Sequence, residues 1–214
     1  MSKIQNDNNS NDIRILFCGN ANVGKSCLIE RYLSNIFLEN YTPTVGIDYR
    51  AKFHIINQTK VQIKLFDIPG QNRFQDIMLS QLRKVDGVVF VYDISDMDSF
   101  LDIKHWQEKV KSTDNQNIFQ LLIGNKCDKL DKQVPLSQGQ EYAYDNNMNF
   151  FETSAKNGKH VEQSIMKLAE KIYCEKQKKA NQNLKDELKS KPIKLKNYNS
   201  TIKKIYKHIQ NCCQ

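Results

Sequence analysis

The chain has 214 residues, 39% of them hydrophobic, with nine tyrosines, ten phenylalanines and one tryptophan; that is enough for one core of ordinary size and excludes a wholly disordered chain. No run approaches the roughly 18 apolar residues of a membrane span, and the polar, Asn-rich start is not a signal peptide, so a cytosolic redox setting is expected. The net charge of +8 lies entirely after Cys174, where eleven lysines face Glu175, Asp186 and Glu187, so the neutral remainder offers no nucleic-acid face.

Residues 1–11 read as a disordered lead. A mostly apolar run at 13–18 reads as a buried strand, followed by a glycine loop and a helix over about 25–34. Residues 35–46 form a polar loop. Strands follow at 47–56 and 61–65, joined as a hairpin through Asn57-Gln58-Thr59-Lys60. The apolar runs 87–92 and 119–124 read as buried parallel strands, and 149–153 as a last short one. Helical patterns occupy about 74–84, 98–111, 137–146 and 160–176. Alternating strands and helices predict an α/β fold with right-handed crossovers: a six-stranded, mostly parallel sheet with one antiparallel edge strand and helices on both faces. The domain is expected over 12–176. Beyond it the apolar period fails and Lys and Asn dominate, which predicts a flexible tail over 177–214.

Cysteines stand at 18, 27, 127, 174, 212 and 213 without C-x-x-C spacing, and the four histidines are scattered, so a zinc site is not expected. Glycine is scarce, at 8 in 214, so its positions are informative. Gly19-Asn-Ala-Asn-Val-Gly24-Lys25-Ser26 fits G-x-x-x-x-G-K-[ST] between a strand and a helix, the context this phosphate loop needs. Its backbone N–H groups and the helix N-terminus would cradle phosphate oxygens. Lys25 would reach the β- and γ-phosphates, and the Ser26 hydroxyl would ligate Mg²⁺. Leu65-Phe66-Asp67-Ile68-Pro69-Gly70-Gln71 ends the second hairpin strand. Alone it is a turn signal; behind a phosphate loop, Asp67 would hold Mg²⁺, the Gly70 N–H would meet a γ-phosphate and Gln71 would orient an attacking water. Asn125-Lys126-Cys127-Asp128 follows a strand. A carboxylate there can accept from both N1–H and the 2-amino group of guanine, a donor pair adenine lacks. Ser154-Ala155-Lys156 supplies a second loop to the same base.

The order of these motifs, with Thr44 between the first two and E-T-S-A-K last, resembles the Ras-like small GTPases over about residues 13–174. Within them Val45-Gly46-Ile47-Asp48-Tyr49, Arg73-Phe74 and Val91-Tyr92-Asp93-Ile94-Ser95 resemble the Rab family. The resemblance implies a P-loop GTPase that binds GTP and GDP with Mg²⁺, hydrolyses GTP slowly and regulates vesicle traffic. It implies nucleotide contacts from Asn20, Ala21, Asn22, Val23, Gly24, Lys25, Ser26 and Cys27. Phe37 would pack on the guanine face, Tyr41 would close over the phosphates, Lys126 would cover the base and the Ala155 N–H would meet guanine O6. Thr44 would join Ser26 and Asp67 at the metal and, with Lys25 and Gln71, would serve hydrolysis. Implied partners are an exchange factor, an activating protein, a dissociation inhibitor and effectors; a monomer is expected.

Departures from the family wording W-D-T-A-G-Q-E are Phe66, Ile68, Pro69 and Asn72. Pro69 fixes φ near −65° and removes an N–H just before Gly70. That leaves an alternative of another class: a nucleotide-dependent binding module with negligible hydrolysis. A P-loop kinase or ATPase is disfavoured by Asn125 and Asp128. The ending Asn211-Cys212-Cys213-Gln214 does not fit a C-a-a-X box. It resembles the doubly geranylgeranylated Rab ending, which with a lysine-rich tail implies attachment to the cytoplasmic face of intracellular membranes, cycling with the cytosol.

Overall fold

The computed structural model of the chain describes residues 11–37, 44, 46–70, 75–113, 115 and 117–190, without the side chains of 75–77, 185 and 187–190. Tyr41, Gln71, Cys212, Cys213 and the lead over 1–10 lie outside the described residues. In chain order the elements are β1 (Asp12–Cys18), α1 (Lys25–Ser34), β2 (Asp48–Ile56), β3 (Thr59–Asp67), α2 (Gln75–Leu82) and β4 (Gly87–Asp93). Then come α3 (Met97–Leu101), α4 (Ile103–Lys111), β5 (Phe119–Asn125), α5 (Leu136–Asp145), β6 (Asn149–Glu152) and α6 (Val161–Ser190).

The strands form one sheet in the order β2-β3-β1-β4-β5-β6. The β2–β3 pair is antiparallel and the β1–β3, β1–β4, β4–β5 and β5–β6 pairs are parallel. This is the predicted fold, with the hairpin at one edge. Asn57 (φ 47) and Gln58 (φ 63) both take left-handed backbone, the conformation a two-residue hairpin turn requires. Ile56 therefore pairs directly with Thr59, and the expected four-residue joint closes in two.

The period-2 rule explains how one sheet serves two cores. Ile13, Ile15 and Phe17 of β1 point to the side of Leu28 and Tyr32 of α1 and Ile165, Leu168 and Ile172 of α6. Leu16 and Cys18 point to the side of Met78 and Leu82 of α2 and Ile103, Trp106 and Val110 of α4. In β3, Val61, Ile63 and Leu65 are fully buried, while Gln62 and Lys64 between them are only partly covered. The chain leaves β1 where strand order runs both ways, towards β3 and towards β4. The loops after β1, β3 and β5 thus meet at one carboxyl edge, where open α/β sheets bind ligands.

Two expectations change. The helix predicted over 98–111 is two helices meeting at Asp102, after an N-cap in which the Asp96 side chain accepts from the Ser99 N–H. The segment expected to be flexible from 177 is helical through Ser190. Its residues Glu175–Ser190 contain no Gly or Pro and many strong helix formers. Lys178 pairs with Glu175 at 2.5 Å, and Gln182 donates to Asp186 at 3.3 Å. An apolar stripe marks a face packed on a core, and its loss does not end a helix. The α/β unit ends at Tyr173, and Cys174–Gln214 form a second unit. Among the described residues no helix is long and apolar enough to cross a membrane.

Candidate functional site: a phosphate loop joined to two base loops

The loop between β1 and α1 turns on two glycines in left-handed or otherwise glycine-favouring backbone, Gly19 (φ 141) and Gly24 (φ 95). A Cβ on Gly19 would overlap the Val91 carbonyl oxygen, and one on Gly24 would overlap Asn125 Nδ2. Asn22 (φ 64) also takes the left-handed region, which asparagine tolerates better than most residues. Lys25 opens α1 and is only 6% exposed. Its Nζ donates to the Gly19 carbonyl at 2.9 Å and the Asn20 carbonyl at 2.7 Å, so the ammonium lies across the mouth of the loop. Burial lowers its pKa from 10.5 to about 8, against the opposing charge of Asp67.

Three oxygen-bearing side chains from three segments converge beside it. Ser26 Oγ donates to Asp67 Oδ2 at 2.5 Å and lies 3.0 Å from Thr44 Oγ1, which itself donates to Asp67 Oδ2 at 3.3 Å. Asp67 ends β3 and is 4% exposed; its other oxygen, Oδ1, is buried without a hydrogen-bond partner among the described residues. Burial pushes its pKa up, only partly offset by the bonds from Ser26 and Thr44 and by the charge of Lys25. A buried oxygen left unpaired costs about 1–3 kcal/mol. An oxygen-only set with a spare carboxylate lone pair suits a hard divalent cation such as Mg²⁺. Gly70 packs so closely on the peptide between Asn20 and Ala21 that a Cβ would overlap it, and Ile68 is buried in the core on the α2 side of the sheet. Gly70 is therefore seated on the phosphate loop itself.

The base loops are fastened to the same loop. Asn125 ends β5 and is 1% exposed. Its Nδ2 donates to the Val23 carbonyl at 2.9 Å, while its Oδ1 accepts from Thr153 Oγ1 at 3.3 Å and the Ala155 N–H at 3.2 Å. Lys126 (φ 65) donates to the Asn22 carbonyl at 2.7 Å and pairs with Asp93 Oδ2 at 2.7 Å. Burial would raise the Asp93 pKa, but bonds from Lys126 and from the Ser95 N–H and hydroxyl outweigh it and hold it below the usual range. Ser154 Oγ donates to Asp128 Oδ1 at 2.5 Å. A cavity of about 420 Å³ opens between these loops. Its walls include Gly24, Cys27, Phe37, Asp128, Ala155 and Lys156.

Most residues singled out from sequence thus meet in one cleft. Lys25, Ser26, Thr44, Asp67 and Gly70 gather on the phosphate side, and Phe37, Asn125, Lys126, Asp128, Ser154, Ala155 and Lys156 on the base side. Asn20 differs: its side chain turns away, donating to Asp102 at 2.7 Å and accepting from the Trp106 indole at 2.9 Å, so only its backbone faces the loop. Asn125 is chiefly a brace, tying three segments together. Asp93 and Thr153 lie within stretches that carry the family resemblance, but their bonds to Lys126 and Asn125 are not legible there, because they arise only when β4, β5 and β6 align.

Comparison with known proteins agrees with this geometry. The Ras family model matches residues 14–174. GTP-binding protein ypt1 of Schizosaccharomyces pombe is 35% identical over 160 residues, covering 74% of this chain and 79% of that protein. GTP-binding protein YPT1 of Saccharomyces cerevisiae is 34% identical over 182 residues, covering 85% and 87%. Ras-related protein Rab-10 of Diplobatis ommata is 36% identical over 160 residues, covering 74% and 80%. A phosphate loop, an oxygen cluster and two base loops in one cleft, in a chain matched by these relatives over most of its length, make this protein a Rab-type member of the Ras family of small GTPases.

Proposed function

We propose that the chain is a guanine-nucleotide switch that hydrolyses GTP to GDP and phosphate and regulates vesicle traffic from the cytoplasmic face of intracellular membranes. The observation that carries the reading is Asn125, whose amide ties the phosphate loop at Val23 to the base loop at Ala155. One cleft can then hold a purine and its phosphates together.

Lys25 holds negative charge at the β- and γ-phosphates, where its ammonium is already oriented by two carbonyls. The loop N–H groups from Asn20 to Ser26 complete the cradle, with Cys27 at its helical end. Ser26, Thr44 and Asp67 would hold Mg²⁺, which neutralises phosphate charge and fixes its geometry. The Gly70 N–H meets the γ-phosphate, and Gln71 orients the attacking water. Asp128 accepts from the guanine N1–H and 2-amino group. The Ala155 N–H, now on Asn125, is shared with O6; Phe37 and Lys126 cover the ring faces, and Tyr41 closes over the phosphates. Presence or loss of the γ-phosphate orders or releases residues 35–48 and 68–80, which exchange factors, activating proteins and effectors read. Prenylated Cys212 and Cys213 hold a monomer at the membrane, and a dissociation inhibitor returns it to the cytosol.

Competition of GTP, GDP and ATP for the purified protein tests the reading. Micromolar or tighter binding of both guanine nucleotides, with weak ATP binding, is expected. ATP competing as well as GTP contradicts it.

A further inference from the structure

Arg31 lies in the last turn of α1, outside every phosphate and base motif. Its Nε donates to the Ala155 carbonyl at 2.7 Å and its Nη2 to the Lys156 carbonyl at 2.6 Å. Its Nη1 donates to the Asn35 carbonyl at 2.6 Å and to Asn35 Oδ1 at 3.3 Å. One planar fork therefore binds two consecutive carbonyls of one cavity wall. It also binds the left-handed C-cap of α1 (φ 57), from which the chain runs on to Phe37, which lines the same cavity. The Ala155 peptide is held from both sides, its N–H by Asn125 and its carbonyl by Arg31.

Such a clamp is specific to arginine. Its donors diverge in a fixed plane, so three acceptors can be held at once, whereas a lysine ammonium on a flexible stem cannot reproduce that fork. The position also complements the negative end of the α1 dipole. Arg31 has no place in the chemistry itself: its bonds run to the base side of the cleft, while Lys25, Ser26, Thr44 and Asp67 gather on the phosphate side.

We propose that Arg31 is a positioning residue that clamps both walls of the guanine pocket and thereby sets the rate of nucleotide release. This rests on the guanine reading above. A freed Ala155–Lys156 wall opens more often and lets the base leave, with the phosphate side little altered.

The test compares full-length wild type, Arg31→Lys and Arg31→Gln in two measurements: release of a fluorescent GDP and single-turnover hydrolysis of preloaded GTP. Arg31→Gln loses the charge-assisted hydrogen bonds to three carbonyls, so release from it should be about ten-fold faster or more. Arg31→Lys should lie between it and wild type, and hydrolysis should change far less than release in both. Release unchanged in both variants overturns the proposal. So does hydrolysis falling in parallel with retention, which is general loosening of the fold. A wild type that retains no GDP overturns the guanine reading, and this inference with it.

Discussion

Burial among the carbonyls of Gly19 and Asn20 makes the charge of Lys25 depend on what shares the loop. Burial lowers its pKa to about 8, against the ordinary 10.5 of a lysine side chain, so the unfolded chain binds more protons between those values. The cost of burying the ammonium is therefore fully present below about pH 8, and stability of the nucleotide-free protein rises with pH across that window. Phosphate oxygens restore the ammonium form, so binding takes up a proton and affinity runs the other way. GDP affinity measured from pH 7 to 9.5 should be flat below about pH 8 and then fall, by at most about ten-fold per pH unit. An affinity independent of pH, or rising with it, contradicts the placement of Lys25. At the base, Asp128→Asn exchanges one acceptor for a donor while Oδ1 can still accept from Ser154. Relative affinity should move from guanine to xanthine nucleotides by about 10- to 100-fold, read by competition; full retention of guanine preference shows that Asp128 does not read the base.

Elements show why some features are legible in sequence and others are not. β1, β4 and β5 are short apolar runs that stay apolar whichever neighbour they gain. The alternation of β3 likewise marks an edge hairpin before any contact is known. The phosphate loop is local, eight consecutive residues between a strand and a helix. Arg31 is invisible by contrast, because its partner Ala155 is 124 residues away. Asn20 is legible as loop but not in its side-chain direction, which Trp106 and Asp102 of the α3–α4 corner decide. The segment after β3 joins local wording to tertiary consequence. Pro69 is buried between Ile68 in the core and Gly70 on the phosphate loop, so its fixed φ constrains the chain just before Gln71, which is proposed above to orient the attacking water. Pro69→Ala should speed single-turnover hydrolysis by about ten-fold, some 1.4 kcal/mol in the barrier, with a smaller change in GTP affinity. Equal rates, or a slower variant, mean that proline already matches the productive path.

At the scale of the molecule, a neutral α/β unit is followed by a lysine-rich segment carrying the whole +8. A basic segment alone holds weakly to anionic membranes at physiological salt, and two lipid chains hold stably. Replacing Cys212 and Cys213 by Ser should leave GDP binding intact and move the protein from the membrane fraction to the cytosol. Unchanged fractionation refutes lipidation at that site. The central claim is that this cleft is a slow GTP-hydrolysing switch rather than a binding module. Single-turnover hydrolysis by the purified, GTP-loaded, Mg²⁺-supplemented protein tests it most directly. Phosphate release on the order of 10⁻⁴ to 10⁻² s⁻¹, reduced in Gln71→Leu, is the predicted result; tight GTP binding with no release above that variant would contradict it.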